Sequence, residues 1–427
     1  MAWSTEQVLG LAPDSSSAQA GQGLAVETKW VSLGADGECV WGEAKGSAAL
    51  PYQTCIDLSE PAFKCNCPSR KFPCKHGLGL FLLFAKGKCP ARERPQWVSE
   101  WLAKRGEKAA AKAAKAPSEV DPEAQAKRAA NREERVASGV ADCEVWLRDL
   151  IRTGFASPTL SSGKTFAGIA ARLVDAQAPG LARMVRGMGD TVSSGPGWES
   201  RLLDRAGLLY LLLKAHGRME KLPEDLREDV RQALGWTVKK EELGPETEVA
   251  DHWTVLGQST WTEDRITTQR SWIYGSNSRR WGMVLAFSVA GSPFDISLVP
   301  GSAFSGRVAY FPSAYPMRVH VVERGDADPA TQPGSMIGEC LDEYANALAR
   351  NPWIDAIPCP IGGSTLGESA GRWFLLQGAD SLPISGGFQP WDLLANSGGA
   401  EFSIFGEWNG REFRPLSAQR EATFWRL

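Results

Sequence analysis

The sequence predicts a multidomain α+β protein. A small β-hairpin/helix module comes first, then an all-helical middle domain, then a C-terminal α+β domain with a largely antiparallel sheet. Three observations carry this. A Cys-x-Cys pair and a Cys-x-His pair stand six residues apart, at Cys65, Cys67, Cys74 and His76. From Val136 to about residue 235, apolar residues recur at intervals of three and four, the period of one helix face. After residue 249, short β-branched and aromatic runs alternate with Gly, Asn and Ser turns. The boundaries that follow are 1–94 for the N-terminal domain (module core about 38–87), 95–136 for a linker, 137–240 for the helical domain and 249–427 for the last domain.

Three thiolates and one imidazole complete a tetrahedral set for Zn²⁺, which favours sulfur and nitrogen ligands. Residues two apart on a helix do not face each other, so Cys65 and Cys67 converge only from a turn, which Pro68 supplies. Cys74 is expected just before a helix and His76 in its first turn. The apolar run 78–84 forms the body of that helix, and Gly87 ends it in the left-handed region. A redox Cys-x-Cys pair and plain buried thiols are the rival readings. Neither requires a His two residues after a third Cys, nor a proline-bracketed basic loop. Four protein ligands leave no open position, so the expected cofactor is one structural zinc, not a catalytic one.

The chain before this motif reads as two short helices, at 4–12 with a Ser4/Gln7 capping box and at 13–22. From residue 26 to 58 the runs become β-prone, with Asp36-Gly37 as a hairpin turn and strands at 40–47 and 52–58. Cys39, Cys55 and Cys89 read as half-buried residues outside the completed ligand set. The Cys-x-Cys…Cys-x-His order, the two flanking strands, the opening Trp3–Leu9 and the Gly-Gln-Gly-Leu run at 21–24 resemble the SWIM zinc finger. The likeness is to bacterial SWIM-finger proteins in particular and covers roughly residues 1–90. It implies a β-hairpin followed by a helix carrying the final Cys-x-His, with Cys65, Cys67, Cys74 and His76 as ligands, and binding of DNA or protein. Bacterial members often lie near genes for MoxR-type AAA ATPases and von Willebrand A-domain proteins, which implies an AAA ATPase system as a protein partner.

The net charge is −3, but between Pro61 and Pro117 thirteen Lys/Arg stand against three acids. Such a segment can attract a phosphate backbone, with Lys64, Arg70, Lys71 and Lys75 around the metal as the contacts. It can equally be a solvated face paired with the protein's own acids. A helix opens at Pro95 with Trp97, Val98, Trp101 and Leu102 as its apolar side. It continues into the Ala/Lys run 108–115, which has nothing large to bury and reads as a tether or a basic arm.

A further helix starts near Pro122, and others are expected at 164–177, 179–190, 198–216 and 223–235, the 198–216 helix deeply buried by its seven leucines. Ser162-Gly163-Lys164-Thr165 imitates the end of a P-loop, but Pro158 stands where that loop needs Gly, so Ser162 reads as a helix cap. Strands are expected at 253–256, 267–274, 282–289, 296–299, 319–322, 372–377 and 401–408, with a helix at 337–349 and a hairpin turn at Asn409-Gly410. The many Trp of this domain serve as core or as a binding platform.

No run reaches 18 apolar residues and no signal-type leader opens the chain, so a cytoplasmic protein without membrane contact is expected. Nine scattered cysteines make no disulfide framework. No nucleophile elbow or paired carboxylates are legible, which leans against an enzyme. The expected function is a zinc-binding interaction protein for nucleic acid or protein. The alternative is an accessory subunit or enzyme with a small-molecule site in the C-terminal domain.

Overall fold

In the computed structural model, residues 3, 5–12, 15–46, 50–58, 62–69, 71–114, 122–155, 164–263, 266–289, 294–327, 333–421 and 423–427 are described. Two short helices, α1 (Thr5–Gly10) and α2 (Ser15–Leu24), lead into a four-stranded antiparallel sheet. Its strands are β1 (Trp30–Ala35), β2 (Cys39–Ala44), β3 (Tyr52–Asp57) and β4 (Ala62–Cys65), in sequence order. The Asp36 turn forms as expected: its carboxylate accepts the Glu38 and Cys39 backbone N–H groups at 2.9 and 2.8 Å. α3 (Lys75–Ala85) covers one face of the sheet with Leu80, Phe81 and Leu83 against Trp30, Val40, Ile56 and Phe63. α4 (Gln96–Ala114) covers the other face, setting Val98, Trp97, Trp101 and Leu102 against Cys39, Trp41 and Cys55. Cys39 and Cys55 are fully buried rather than half-buried, and burial pushes both thiols up to about 12. The α4-side core, invisible in the strand pattern alone, accounts for this.

α5 (Pro122–Thr153) opens the helical region. α6 (Lys164–Asp175), α7 (Pro179–Thr191), α8 (Trp198–His216) and α9 (Glu224–Leu234) follow, close to their expected limits. One core joins Val136, Cys143 and Leu147 of α5 to Phe166, Ile169, Val185, Leu209, Leu212 and Val230. Ser162 lies outside the described residues, so its capping role stays an expectation. The deep burial expected of α8 is corrected. Leu202, Leu209, Leu212 and Leu213 are buried, but Leu203, Leu208 and Leu211 are 56%, 40% and 45% exposed, because a bundle covers only one side of its outer helix.

Gly180, near the start of α7, lies so close to α9 that a Cβ there would come within 2.0 Å of the Ala233 carbonyl oxygen. Backbone cannot turn aside as a side chain can. Gly180→Ala is therefore expected to destabilise the bundle by about 2–3 kcal/mol, read as a lowered urea midpoint of its helical transition. An unchanged midpoint would mean that α7 and α9 do not touch here.

The last region pairs a barrel with a sheet. β5 (Glu248–Glu263), β6 (Ile266–Gly275), β7 (Trp281–Val289), β8 (Ala303–Tyr310) and β9 (Arg318–Ala327) close in the order β5-β6-β7-β9-β8. The barrel interior holds Trp253, Val255, Ile273, Val284, Phe304 and Val308. All pairings are antiparallel except β7–β9, which are parallel and joined at Met283↔Arg318 and Val284↔Val319. After α10 (Ile337–Arg350) come β10 (Ile357–Ser369), β11 (Arg372–Gln377), β12 (Asp380–Pro383), α11 (Trp391–Ser397), β13 (Phe402–Trp408), β14 (Phe413–Arg420) and β15 (Thr423–Arg426). They form a six-stranded antiparallel sheet, β12-β11-β10-β13-β14-β15. Phe405 of that sheet stacks on Trp281 of the barrel, ring centroids 5.4 Å apart.

The strand expected at 296–299 is irregular, and 303–310 forms β8 instead. β10 escaped the sequence reading because Pro358 and Pro360 argue against a strand. Pro360 turns its carbonyl away from β13, to the Ser335 N–H at 2.9 Å. Its nitrogen, on that same side, owes β13 no hydrogen bond.

Candidate metal centre

The four donors arrive from the end of a strand, the turn after it and the start of a helix. Cys65 ends β4, Cys67 lies in the turn after it, Cys74 is the N-cap residue of α3, and His76 is in the first turn. The expected placement of Cys74 and His76 is what forms, and Gly87 follows the helix at φ 67°. The sequence reading missed β4, whose four residues pair in register with β3. That pairing matters. It sets Thr54 opposite Cys65, and the buried Thr54 hydroxyl donates to Cys65 Sγ at 3.1 Å.

The ligand atoms of Cys65, Cys67, Cys74 and His76 all lie within 4.8 Å of one another. Cys65 Sγ is 3.8 Å from His76 Nδ1. Bond lengths of about 2.0–2.3 Å to a tetrahedral zinc place ligand atoms about 3.5–3.8 Å apart, so the donors need only a small inward shift. Cys74 and His76 are buried, Cys67 and Cys65 half-buried. The Tyr52 ring leans on His76 at 4.9 Å. Tyr52 and Thr54 form an outer layer that orients ligands, and nothing in their sequence spacing announced it.

The crowded sulfurs perturb one another. A hydrogen bond from Cys65 holds the Cys74 thiol well below the usual range against the opposing effect of burial, with His76 and the Gly77 N–H assisting. Cys65 moves the other way, through its bond to Cys74 and through burial. Burial also raises Cys67. Without a cation the cluster can keep one thiolate but not three. A divalent metal is what lets three sulfurs ionise at this spacing. The group fits.

Of the residues assigned to nucleic acid, Lys64, Lys71 and Lys75 are exposed around the cluster, and Arg70 lies outside the described residues. Lys71 donates to Ser16 Oγ at 3.0 Å. Lys64 and Lys75 make no ion pair among the described residues. Part of the basic segment is instead consumed internally. Arg94 pairs with Asp36 and Glu38 at 2.7 and 2.8 Å, Arg105 with Asp57 at 3.0 Å, and Lys88 with Glu27 at 3.7 Å.

Residues 131–234 match the family described as the SWIM-associated four-helix bundle domain. The match spans most of α5 through α9 and associates the chain with SWIM-bearing proteins through its bundle, not through the Cys/His cluster. Neither a curated protein nor a solved structure matches the chain. Among the described residues, no helix is long and apolar enough to cross a membrane.

Proposed function

We propose that Cys65, Cys67, Cys74 and His76 hold one structural zinc in a SWIM finger that presents a basic surface to nucleic acid. The observation that carries this reading is the convergence of the four donors with Lys64, Lys71 and Lys75 exposed around them. The bundle match at 131–234 supports the SWIM assignment. Zinc supplies no reaction here; bound, it ties β4, the following turn and α3 together. A reducing compartment such as the cytoplasm keeps the thiols available as ligands.

The lysines are poorly explained by the finger's own stability. Lys75 is the first residue of α3, where a cation opposes the helix dipole. Together with the positive end of that helix dipole it attracts an anion. Lys64 is on the edge strand β4, where a lysine also discourages strand addition, so it is the weaker witness of the two. Contacts of this kind position a phosphate backbone and do not read sequence. A protein partner, such as an AAA ATPase system, is what the same finger would serve in the absence of nucleic-acid binding.

Fluorescence anisotropy of labelled single- and double-stranded DNA and RNA, titrated with zinc-loaded protein across a salt series, tests this. Three or four phosphate contacts give a log–log salt slope of about −2 to −4. Lys71→Glu with Lys75→Glu is expected to abolish binding while zinc content stays at one per chain. No binding at low salt by folded, metal-loaded protein would sink the nucleic-acid reading.

A further inference from the structure

The barrel, the end of the bundle and the segment between α10 and β10 meet around a cavity of about 210 Å³. Its wall includes Arg270 of β6, Arg318 at the start of β9, Ser313 and Asn351 from two loops, and Asp229 and Asp355. The arginines share one face by strand alternation. Ile273, Val284 and Val319 point into the barrel core, so Arg270, Met283 and Arg318 point outward. Met283 pairs with Arg318, and Leu285 pairs with Arg270, which sets the two arginines on either side of β7.

Neither guanidinium is fully satisfied. Arg318 lies over the Phe311 ring at 4.2 Å, and among the described residues its side chain makes no hydrogen bond or ion pair. Burial pulls its pKa down, as expected for a cation taken from water without compensation. Arg270 donates to Glu407 at 3.3 Å, yet its Nε is buried with no partner. The two acids of the wall do not supply the missing charge. Asp229 accepts the Ala314 N–H at 2.8 Å, and burial raises its pKa against hydrogen bonds from Ser313 and Ala314. Asp355 is exposed and makes no ion pair among the described residues.

A half-buried guanidinium without a counter-charge, as at Arg318, is costly, and its planar fork fits a carboxylate or phosphate in two-point fashion. We infer that this cavity binds the phosphate or carboxylate group of a small molecule between Arg318 and Arg270. Size agrees, since the space takes a small anionic group and not a polymer. Five-stranded Greek-key barrels of the OB type bind on the outer face of their second and third strands. By analogy that face is β6–β7, which the six-stranded sheet covers here through Phe405 on Trp281, and the cavity is what the covering leaves open. The site is independent of the zinc finger.

Isothermal titration of the full-length, zinc-loaded protein tests it, with inorganic phosphate and succinate as separate probes and NaCl balancing ionic strength. One-to-one binding of either probe is expected, phosphate pointing to a phosphoester ligand and succinate to a carboxylate. Arg318→Met should weaken that binding tenfold or more. The substitution keeps volume and removes an uncompensated charge, so its unliganded melting temperature should not fall. If it does fall, Arg318→Lys, which keeps the charge but not the fork, carries the comparison and should still lose affinity. No heat beyond the NaCl control with either probe overturns the inference. So does equal affinity in wild type and variant.

Discussion

Chelating the metal from the Cys65–Cys67–Cys74–His76 site is expected to melt the finger while leaving the helical bundle intact. Structural zinc contributes about 10–16 kcal/mol at neutral pH, against about 5–15 kcal/mol for the whole stability of a typical domain. Trypsin reports the loss directly. Lys64, Arg70, Lys71 and Lys75 bracket the ligands, and cutting there should accelerate about a hundredfold or more on chelation, equivalent to about 2.7 kcal/mol. Cys65→Ser and His76→Ala should each reproduce the chelated pattern, because three ligands bind zinc far more weakly. Metal analysis of wild type should find one zinc per chain. Substoichiometric metal that neither substitution changes would remove the zinc assignment.

Glu407→Ala should be the most damaging single change in the C-terminal region. The Glu407 side chain is 6% exposed, and its carboxylate accepts the Trp272 indole N–H at 2.8 Å and the Arg270 guanidinium at 3.3 Å. Removing it strands a buried indole N–H and leaves Arg270 without its carboxylate. Breaking a buried pair from one side costs about 3–5 kcal/mol. Glu407→Gln keeps the shape and an acceptor for Trp272, and should cost less than half as much. Urea titrations, with the transition assigned by hydrogen exchange in β6 and β13, separate the two variants. Equal losses would mean that the negative charge anchors nothing.

Where a local rule was strong, the sequence was legible. The Cys/His spacing marked four residues that converge, Gly87 marked the end of α3, and the apolar period located α6 to α9 within a few residues. Local rules could not see what depends on partners across space. β4 is four residues long and is a strand only because β3 lies beside it. β10 carries two prolines, which are tolerated because β11 pairs with β10 only beyond them. The seven leucines of α8 looked like deep burial, although their positions around the helix divide between core and solvent. Thr54 and Tyr52 reach the metal site through register and ring packing. Arg318 and Arg270 are 48 positions apart in sequence, and only closure of the barrel brings them to one wall.

That closure has a kinetic side. β5, β6 and β7 form a continuous meander whose pairings are local, so little chain entropy is lost in making them. The parallel join of β7 to β9, by contrast, spans more than 30 residues and is held by two residue pairs among the described residues. Non-local contacts form late and limit the folding rate. Held by the fewest pairs of any join in the barrel among the described residues, this seam is expected to open first, with the amides of Met283 and Val284 exchanging ahead of those in β6. Met283 and Arg318 belong both to this seam and to the cavity wall. An anion held there would act as a clasp on the barrel, and its binding would be visible as slowed opening of the whole ring.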